Sequence, residues 1–346
     1  MKPFFSIIMP VYNSEKYLHR TIAGIIGQTF DEYELIIVDD GSTDSSLKIC
    51  QEFAVKDSRV IVIQASNNVL GVSGARNIGL NQAVGRYIAF VDSDDAVERD
   101  WLEKVYAYVS DGKIDFLKYG CVEEYYDEAG NLAYSRVRCM REEIVGEIGL
   151  ADKAVEMECI PLFGYVWNGI YKHQLVADNG IKFNAAYKVN EDFDFNIQYL
   201  KCCRNMQCLS DCWYHYAKRG NDSLSSRQNS AYYDLHMMKV KAFLSLYDSV
   251  DSIKADTRRK IFWLYTRFVY STLQRSELKR RERLQLIKRD ELFDMFRKTK
   301  FVDAAPVKQV ILTSFLKGSD NLLLALVSLI DFVRNRLPVL FARWKE

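Results

Sequence analysis

The chain changes its hydrophobic rhythm twice. Over the first hundred residues, short β-rich apolar runs alternate with stretches of helical periodicity. The runs are "FSIIMPV" (5–11), "YELIIVD" (33–39), "VIVIQA" (60–65) and "RYIAFVD" (86–92). Helical patterns fall at about 15–28, 43–56, 73–84 and 98–110. Strands that are apolar without alternation are covered on both faces, so this pattern predicts a parallel sheet flanked by helices. After residue 110 the order loosens. "DFLKYGCVEEYYDEAGNLAYSRVR" (115–138) predicts two strands around the turn "DEAGN". "VNEDFDFNIQYL" (189–200) predicts a loop entering a helix. From about 231 onward the pattern is mainly helical. The domain organisation that follows is an α/β domain over 1–225, in two halves (1–110 and 111–225). A C-terminal helical region follows over 226–346.

Ligands in open α/β sheets bind beyond the carboxyl ends of the strands. Each early strand here ends in polar residues: "YNSE", "DDGSTD", "SNNVLG" and "DSDD". These four ends are expected to line one crevice. The turn after the first strand, "PVYNSEKY", carries no glycine, so it is neither a G-x-G-x-x-G dinucleotide turn nor a P-loop. A bound diphosphate then needs another source of positive charge, and a cation held by carboxylates supplies it. Asp92 and Asp94 stand at alternate positions after the fourth strand and can face one point, which suits Mg²⁺ or Mn²⁺. Asp95 is expected to cap the following helix.

Composition narrows the class. The 346 residues are 49% hydrophobic and 13% aromatic, enough for an ordered core, and the formal charge of +1 gives no reason to expect nucleic acid. The eight cysteines form no zinc-ligand spacing and are read as reduced thiols in a cytoplasmic protein. The apolar N-terminus is read as a first strand and not a signal peptide. No window of about 18 uninterrupted apolar residues predicts a membrane span. "NLLLALVSLIDFVRNRLPVLFARWKE" at the C-terminus has the makeup of a helix lying in a membrane interface, or of one packed on the protein itself.

Four motifs, "SIIMPVYNSEKYL", "ELIIVDDGSTDSS", "GVSGARNIGL" and "RYIAFVDSDD", resemble the family 2 glycosyltransferases in order and spacing over roughly residues 4–110. "WNGIYK" (167–172), "NEDFDF" (190–195) and "YHYAKRGNDSLSS" (214–226) resemble that family's acceptor-side and closing motifs. The resemblance implies a GT-A fold, Rossmann-like with a mostly parallel sheet. It implies inverting transfer of a sugar from a nucleotide-sugar, most often UDP-linked, to a glycan or lipid-linked acceptor in surface polysaccharide synthesis. Carried over residue by residue, Pro10, Val11 and Tyr12 would lie along the nucleoside. Asp40 would contact the base with support from Asp39. Arg76 would reach the nucleotide or its phosphates, and Asp92 would serve both nucleotide and metal. Asp92 and Asp94 would hold Mn²⁺ or Mg²⁺, with His215 as a weaker further ligand. Asp192 would be the general base. Glu191, Trp167 and Asn168 would meet the acceptor, and Lys218 or Arg219 the diphosphate. The competing readings are a nucleotidyltransferase of similar architecture and a non-catalytic scaffold. The first would carry a basic, glycine-rich loop after strand one, and the carboxylates present speak against the second.

Overall fold

The computed structural model describes residues 2–65, 71–187, 189–219, 232–275, 279–298 and 319–336. The chain divides into two compact units, 1–226 and 227–346.

The first unit opens with β1 (Phe5–Val11), α1 (Glu15–Ile26), β2 (Tyr33–Asp39), α2 (Ser46–Lys56), β3 (Val60–Gln64), α3 (Gly71–Gln82) and β4 (Tyr87–Phe90). The alternation expected over the first hundred residues is therefore present. β1 pairs in parallel with β2 and β4, and β2 with β3. Every side chain of β2 and β4 is buried, which is why their sequences do not alternate. α1 buries Leu18, Thr21, Ile22 and Ile25, one stripe at helical spacing. α3 lies against β1 at Gly79, where a Cβ would come within 2.4 Å of Ile8 Cγ2. That glycine lets the helix backbone sit close enough for Arg76 to reach the strand ends.

The chain continues through β5 (Ala96–Val97), α4 (Trp101–Val109), β6 (Phe116–Lys118), β7 (Cys121–Tyr126), β8 (Leu132–Arg138), β9 (Glu143–Gly146), α5 (Leu150–Cys159), β10 (Gly169–Lys172), α6 (His173–Asp178), α7 (Glu191–Leu200), β11 (Asn205–Cys208) and β12 (Tyr214–Arg219). The main sheet has eight strands in the order β3-β2-β1-β4-β10-β6-β11-β9. β10 runs antiparallel to both neighbours, so the sheet is parallel on one side and mixed on the other. A second sheet, β5-β12-β7-β8, covers the carboxyl end of β4 through the β5–β12 pairing.

The second unit consists of α8 (Tyr232–Leu244), α9 (Ala255–Arg275), α10 (Arg280–Lys288), α11 (Glu291–Lys298) and α12 (Asp320–Arg336). Arg280 donates to Ser328 Oγ at 2.7 Å and Lys288 pairs with Asp320, so α10 and α12 run antiparallel side by side. Leu323, Val327 and Ile330 of α12 are buried, while Leu322, Leu329 and Phe332 are exposed. The last ten residues of the apolar tail, with Pro338, Arg343, Trp344 and Lys345, lie outside the described residues. No helix among the described residues is long and apolar enough to cross a membrane. All eight cysteines are free.

Candidate active site

The ends of β1, β2 and β4 supply the first wall. Tyr12, just past β1, is 49% exposed and presents its ring. Val11 is core; its carbonyl accepts from Asp40 N at 2.8 Å and ties the two strand ends together. Pro10 is partly buried between them. Asp39 is fully buried and accepts from Gly41 N and Ser42 N at 3.3 Å each through Oδ2, while Oδ1 is buried with no partner. Asp40 is 3% exposed and holds Gly71 N at 2.7 Å. Gly71 has φ +73°, a left-handed conformation that suits glycine and turns this amide toward the carboxylate. Residues 66–70 of the loop after β3 lie outside the described residues.

Arg76 is the centre of the site. It is 2% exposed and donates to Asp192 Oδ1 at 2.5 Å and to Asp92 Oδ1 at 2.8 Å, with Glu191 at 3.6 Å. The sequence expectation placed it toward the nucleotide or its phosphates; here its donors meet carboxylates. Three carboxylates converge on a buried guanidinium, and two take its donors. Burial alone would lower the pKa of Arg76, but the charges of Asp192, Asp92 and Glu191 outweigh it and raise it. Asp192 lies in the first turn of α7, ahead of the apolar positions Phe193 and Phe195. Burial pushes its carboxyl up to about 7, with Glu191 and Asp92 adding to the rise and Arg76 opposing it. Its second oxygen accepts from Val166 N at 3.3 Å. Asp194 turns away to Gln198 Nε2 at 2.7 Å, and Asn77 exchanges two hydrogen bonds with the backbone of Phe183.

Asp94 is the more open of the paired aspartates, its side chain 42% exposed against 29% for Asp92. Its Oδ2 accepts from Arg219 at 2.6 Å. Burial raises its pKa, and the neighbouring Asp92 adds to it. Asp95 does not cap α4, whose N-cap is Asp100. It is buried and accepts from Tyr214 Oη at 2.7 Å and Ala217 N at 2.8 Å, fastening β12 over the strand end.

β12 separates two adjacent cations by strand geometry. Successive side chains leave opposite faces of a sheet. Tyr214, Tyr216 and Lys218 share one face, where Lys218 pairs with Glu123 at 2.7 Å. His215 and Arg219 share the other, where Arg219 meets Asp94 and lies over the ring of Tyr17 at 3.7 Å. Of the two cations expected near the diphosphate, Lys218 has its ammonium on Glu123 and Arg219 has its guanidinium on Asp94. His215, the weaker of the expected metal ligands, lies between two carboxylates. Nδ1 and Nε2 are engaged by Glu124 at 2.8 Å and Glu98 at 2.9 Å.

The acceptor side also departs from expectation. Asn168 is fully buried, and its amide is used by Lys118, Tyr119 O and Leu162 O. Trp167 is 1% exposed and sandwiched between Tyr165 and Tyr214, with ring centroids 4.6 and 4.5 Å away. Both residues build the wall from behind, because a side chain without free surface cannot meet an acceptor. Sequence reasoning missed Lys118, whose pKa burial lowers to about 7 and whose Nζ donates to Tyr165 O at 2.7 Å. A lysine closing an apolar strand was the available signal.

The paired aspartates suit a hard cation. Each has one carboxylate oxygen on an arginine and one without a partner among the described residues. No group of three His, Cys, Asp or Glu side chains forms a closed cage among the described residues. Two carboxylates with the remaining positions left to a ligand's oxygens is a donor set for Mg²⁺ or Mn²⁺ carried with a diphosphate.

The family described as glycosyl transferase family 2 matches residues 6–153, the segment that holds the strand-end carboxylates and Arg76. The match covers less than half of the chain, and over that segment the chain is similar to the family. It is 32% identical over 220 residues to glycosyltransferase GlyA of Streptococcus pneumoniae serotype 4, which covers 62% of this chain and 30% of that protein. It is 31% identical over 225 residues to poly(ribitol-phosphate) beta-N-acetylglucosaminyltransferase TarS of Staphylococcus aureus, covering 64% of this chain and 37% of TarS. The chain therefore spans about a third of the length of these two curated relatives. The structure of S. aureus TarS 1-349 in complex with UDP-GlcNAc superposes with a TM-score of 0.63 at 23% identity, over 95% of this chain and 91% of that one. That likeness is one of fold, the GT-A type that the motif resemblance implies.

Proposed function

We propose that the chain is an inverting glycosyltransferase that moves a sugar from a UDP-linked donor to a glycan or lipid-linked acceptor in surface polysaccharide synthesis. One observation carries the reading. A largely buried carboxylate with its pKa near 7, Asp192, shares a guanidinium with Asp92 at the end of the central strand. A base poised near neutrality thus stands beside the place where a leaving diphosphate would be held. TarS in complex with UDP-GlcNAc supports uracil as the donor base.

Tyr12 and the Asp39–Asp40 pair would hold the nucleoside. Asp92 and Asp94 would hold a divalent cation, which when bound neutralises charge developing on the departing diphosphate. Arg219, on Asp94, would add a second positive charge from β12. Asp192 would take the proton of an acceptor hydroxyl as its oxygen attacks the anomeric carbon from the face opposite the diphosphate. The bond to UDP breaks and UDP leaves with the electron pair. Arg76 would keep Asp192 aimed.

The expected cytoplasmic location, at the inner face of the membrane, rests on charge distribution. Residues 1–226 hold 23 basic and 33 acidic residues, whereas 227–346 hold 24 and 13. A helical unit of strong basic excess suits an anionic leaflet.

Calorimetry of the full chain against UDP, GDP, CDP and TDP, with and without Mn²⁺, tests the donor reading. The expected result is UDP binding that requires Mn²⁺ and is lost in Asp94→Ala. Metal-independent binding, or binding of no diphosphate, would sink it.

A further inference from the structure

The buried tyrosines around the site differ in one respect. Tyr87, Tyr119, Tyr171, Tyr199 and Tyr214 each spend the hydroxyl on a protein acceptor, at 2.8, 2.8, 2.7, 2.5 and 2.7 Å. Tyr165 and Tyr216 are partly exposed, and neither hydroxyl has a hydrogen-bond partner among the described residues. Their ring centroids are 5.6 Å apart, with planes inclined at 54°, so the two rings form a V against Trp167, with Lys218 Nζ over the Tyr216 ring at 5.3 Å.

The V is rigid and it borders the chemistry. Tyr165 O accepts from Lys118 Nζ at 2.7 Å and Asn196 Nδ2 at 2.9 Å. The next residue, Val166, donates its amide to the base Asp192. Tyr216 is two residues from Tyr214, whose hydroxyl meets Asp95 and the amide of Asp92. One ring is thus tied to the base and the other to the paired aspartates. Burial raises both phenols; Glu158, Glu123, Cys121 and then Asp192 add to the rise at Tyr165, and Tyr165, Asp95, Asp92 and Asp94 add to it at Tyr216.

We infer that Tyr165 and Tyr216 are the acceptor platform and that they select an acceptor ending in a pyranose ring. The inference rests on the transferase reading above. A pyranose presents a flat C–H face to an aromatic ring and hydroxyls at its rim to a phenol. Both are offered here, beside the carboxylate that must take the acceptor's proton. An acyclic polyol phosphate has no such face, and the lysine on this side of β12, Lys218, is already paired with Glu123.

The test measures UDP release from UDP-GlcNAc and UDP-glucose by the full chain with Mn²⁺. Octyl pyranosides and octyl-linked ribitol phosphate are compared as acceptors. A pyranoside is expected to raise UDP release above the rate with water alone, and ribitol phosphate is not. Tyr165→Ala and Tyr216→Ala should each raise KM for the pyranoside about tenfold. Tyr165→Phe and Tyr216→Phe should raise it about threefold. In all four, kcat and the UDP Kd from calorimetry should stay within about twofold of the parent. Equal or better use of ribitol phosphate overturns the inference. So do unchanged KM values, or UDP binding lost in the alanine variants while the phenylalanine variants match the parent. Normal UDP binding with no response to any pyranoside overturns the platform and leaves the donor site standing.

Discussion

The proposed donor side and the proposed acceptor side of the site are assembled in different ways. On the donor side, Tyr12, Asp39, Asp40, Asp92 and Asp94 all lie at or just beyond the carboxyl end of a parallel strand. On the acceptor side, Tyr165 comes from a loop, Asp192 from the start of a helix and Tyr216 from the second sheet. The first set is positioned by the sheet itself, so strand register alone brings it together. The second depends on side chains that fasten one element to another, such as Asn196 and Lys118 on Tyr165 O, and Asp95 on Tyr214. Donor geometry should therefore tolerate change at the acceptor side better than the reverse.

The sharpest break of that comparison is Asp192→Asn. It should lower transfer by about 10³-fold or more, as loss of a general base does, and leave Mn²⁺-dependent UDP binding in place. In the parent, kcat/KM should rise as pH climbs through about 7, because the carboxyl is protonated and inert below that value. The same proton has a second consequence. The folded state binds it more tightly than the unfolded chain, so this group's contribution to stability falls as pH rises from the ordinary carboxyl range to about 7. A pH profile flat between 5 and 8 would remove Asp192 from the role of base.

Next in size is Arg76→Ala, which strikes both sides at once. It leaves Asp192 and Asp92 without their buried cation and should cost about 3–5 kcal/mol of stability. For a unit of this size that is a fall in Tm of roughly 6–20 °C by thermal scan. A change below about 1 kcal/mol would mean that the two carboxylates hold their places independently.

The smallest effect separates two neighbours. Arg219→Ala should weaken UDP binding about tenfold by removing a charge-assisted contact. Lys218→Ala, on the other face of β12, should change it by less than about twofold. Equal losses by calorimetry would mean that the strand's two faces are not the reason for the difference.

Much of this was legible in the chain. Unalternating apolar runs at 5–11, 33–39, 60–65 and 86–92 identified a parallel sheet covered on both faces, because only double burial removes alternation. The acidic cluster at 92–95, placed at the end of the fourth run, pointed to the carboxyl edge. Asp192 at the head of an apolar helix was legible by its motif. These are local signals, since periodicity records which neighbours in sequence share a buried face.

What the tertiary structure alone decided is the partner of each polar group. Nothing near Arg76 in sequence foretells that it bridges Asp92 and Asp192, 16 and 116 residues away. Nor does anything near Asn168 reveal that Tyr119, Leu162 and Lys118 consume its amide. His215 and Lys218 looked available and are engaged by Glu124, Glu98 and Glu123. Apolar burial is non-directional and leaves its imprint as a repeating pattern. A buried charge or amide must instead find a specific partner at hydrogen-bond distance, and folding draws that partner from anywhere in the chain.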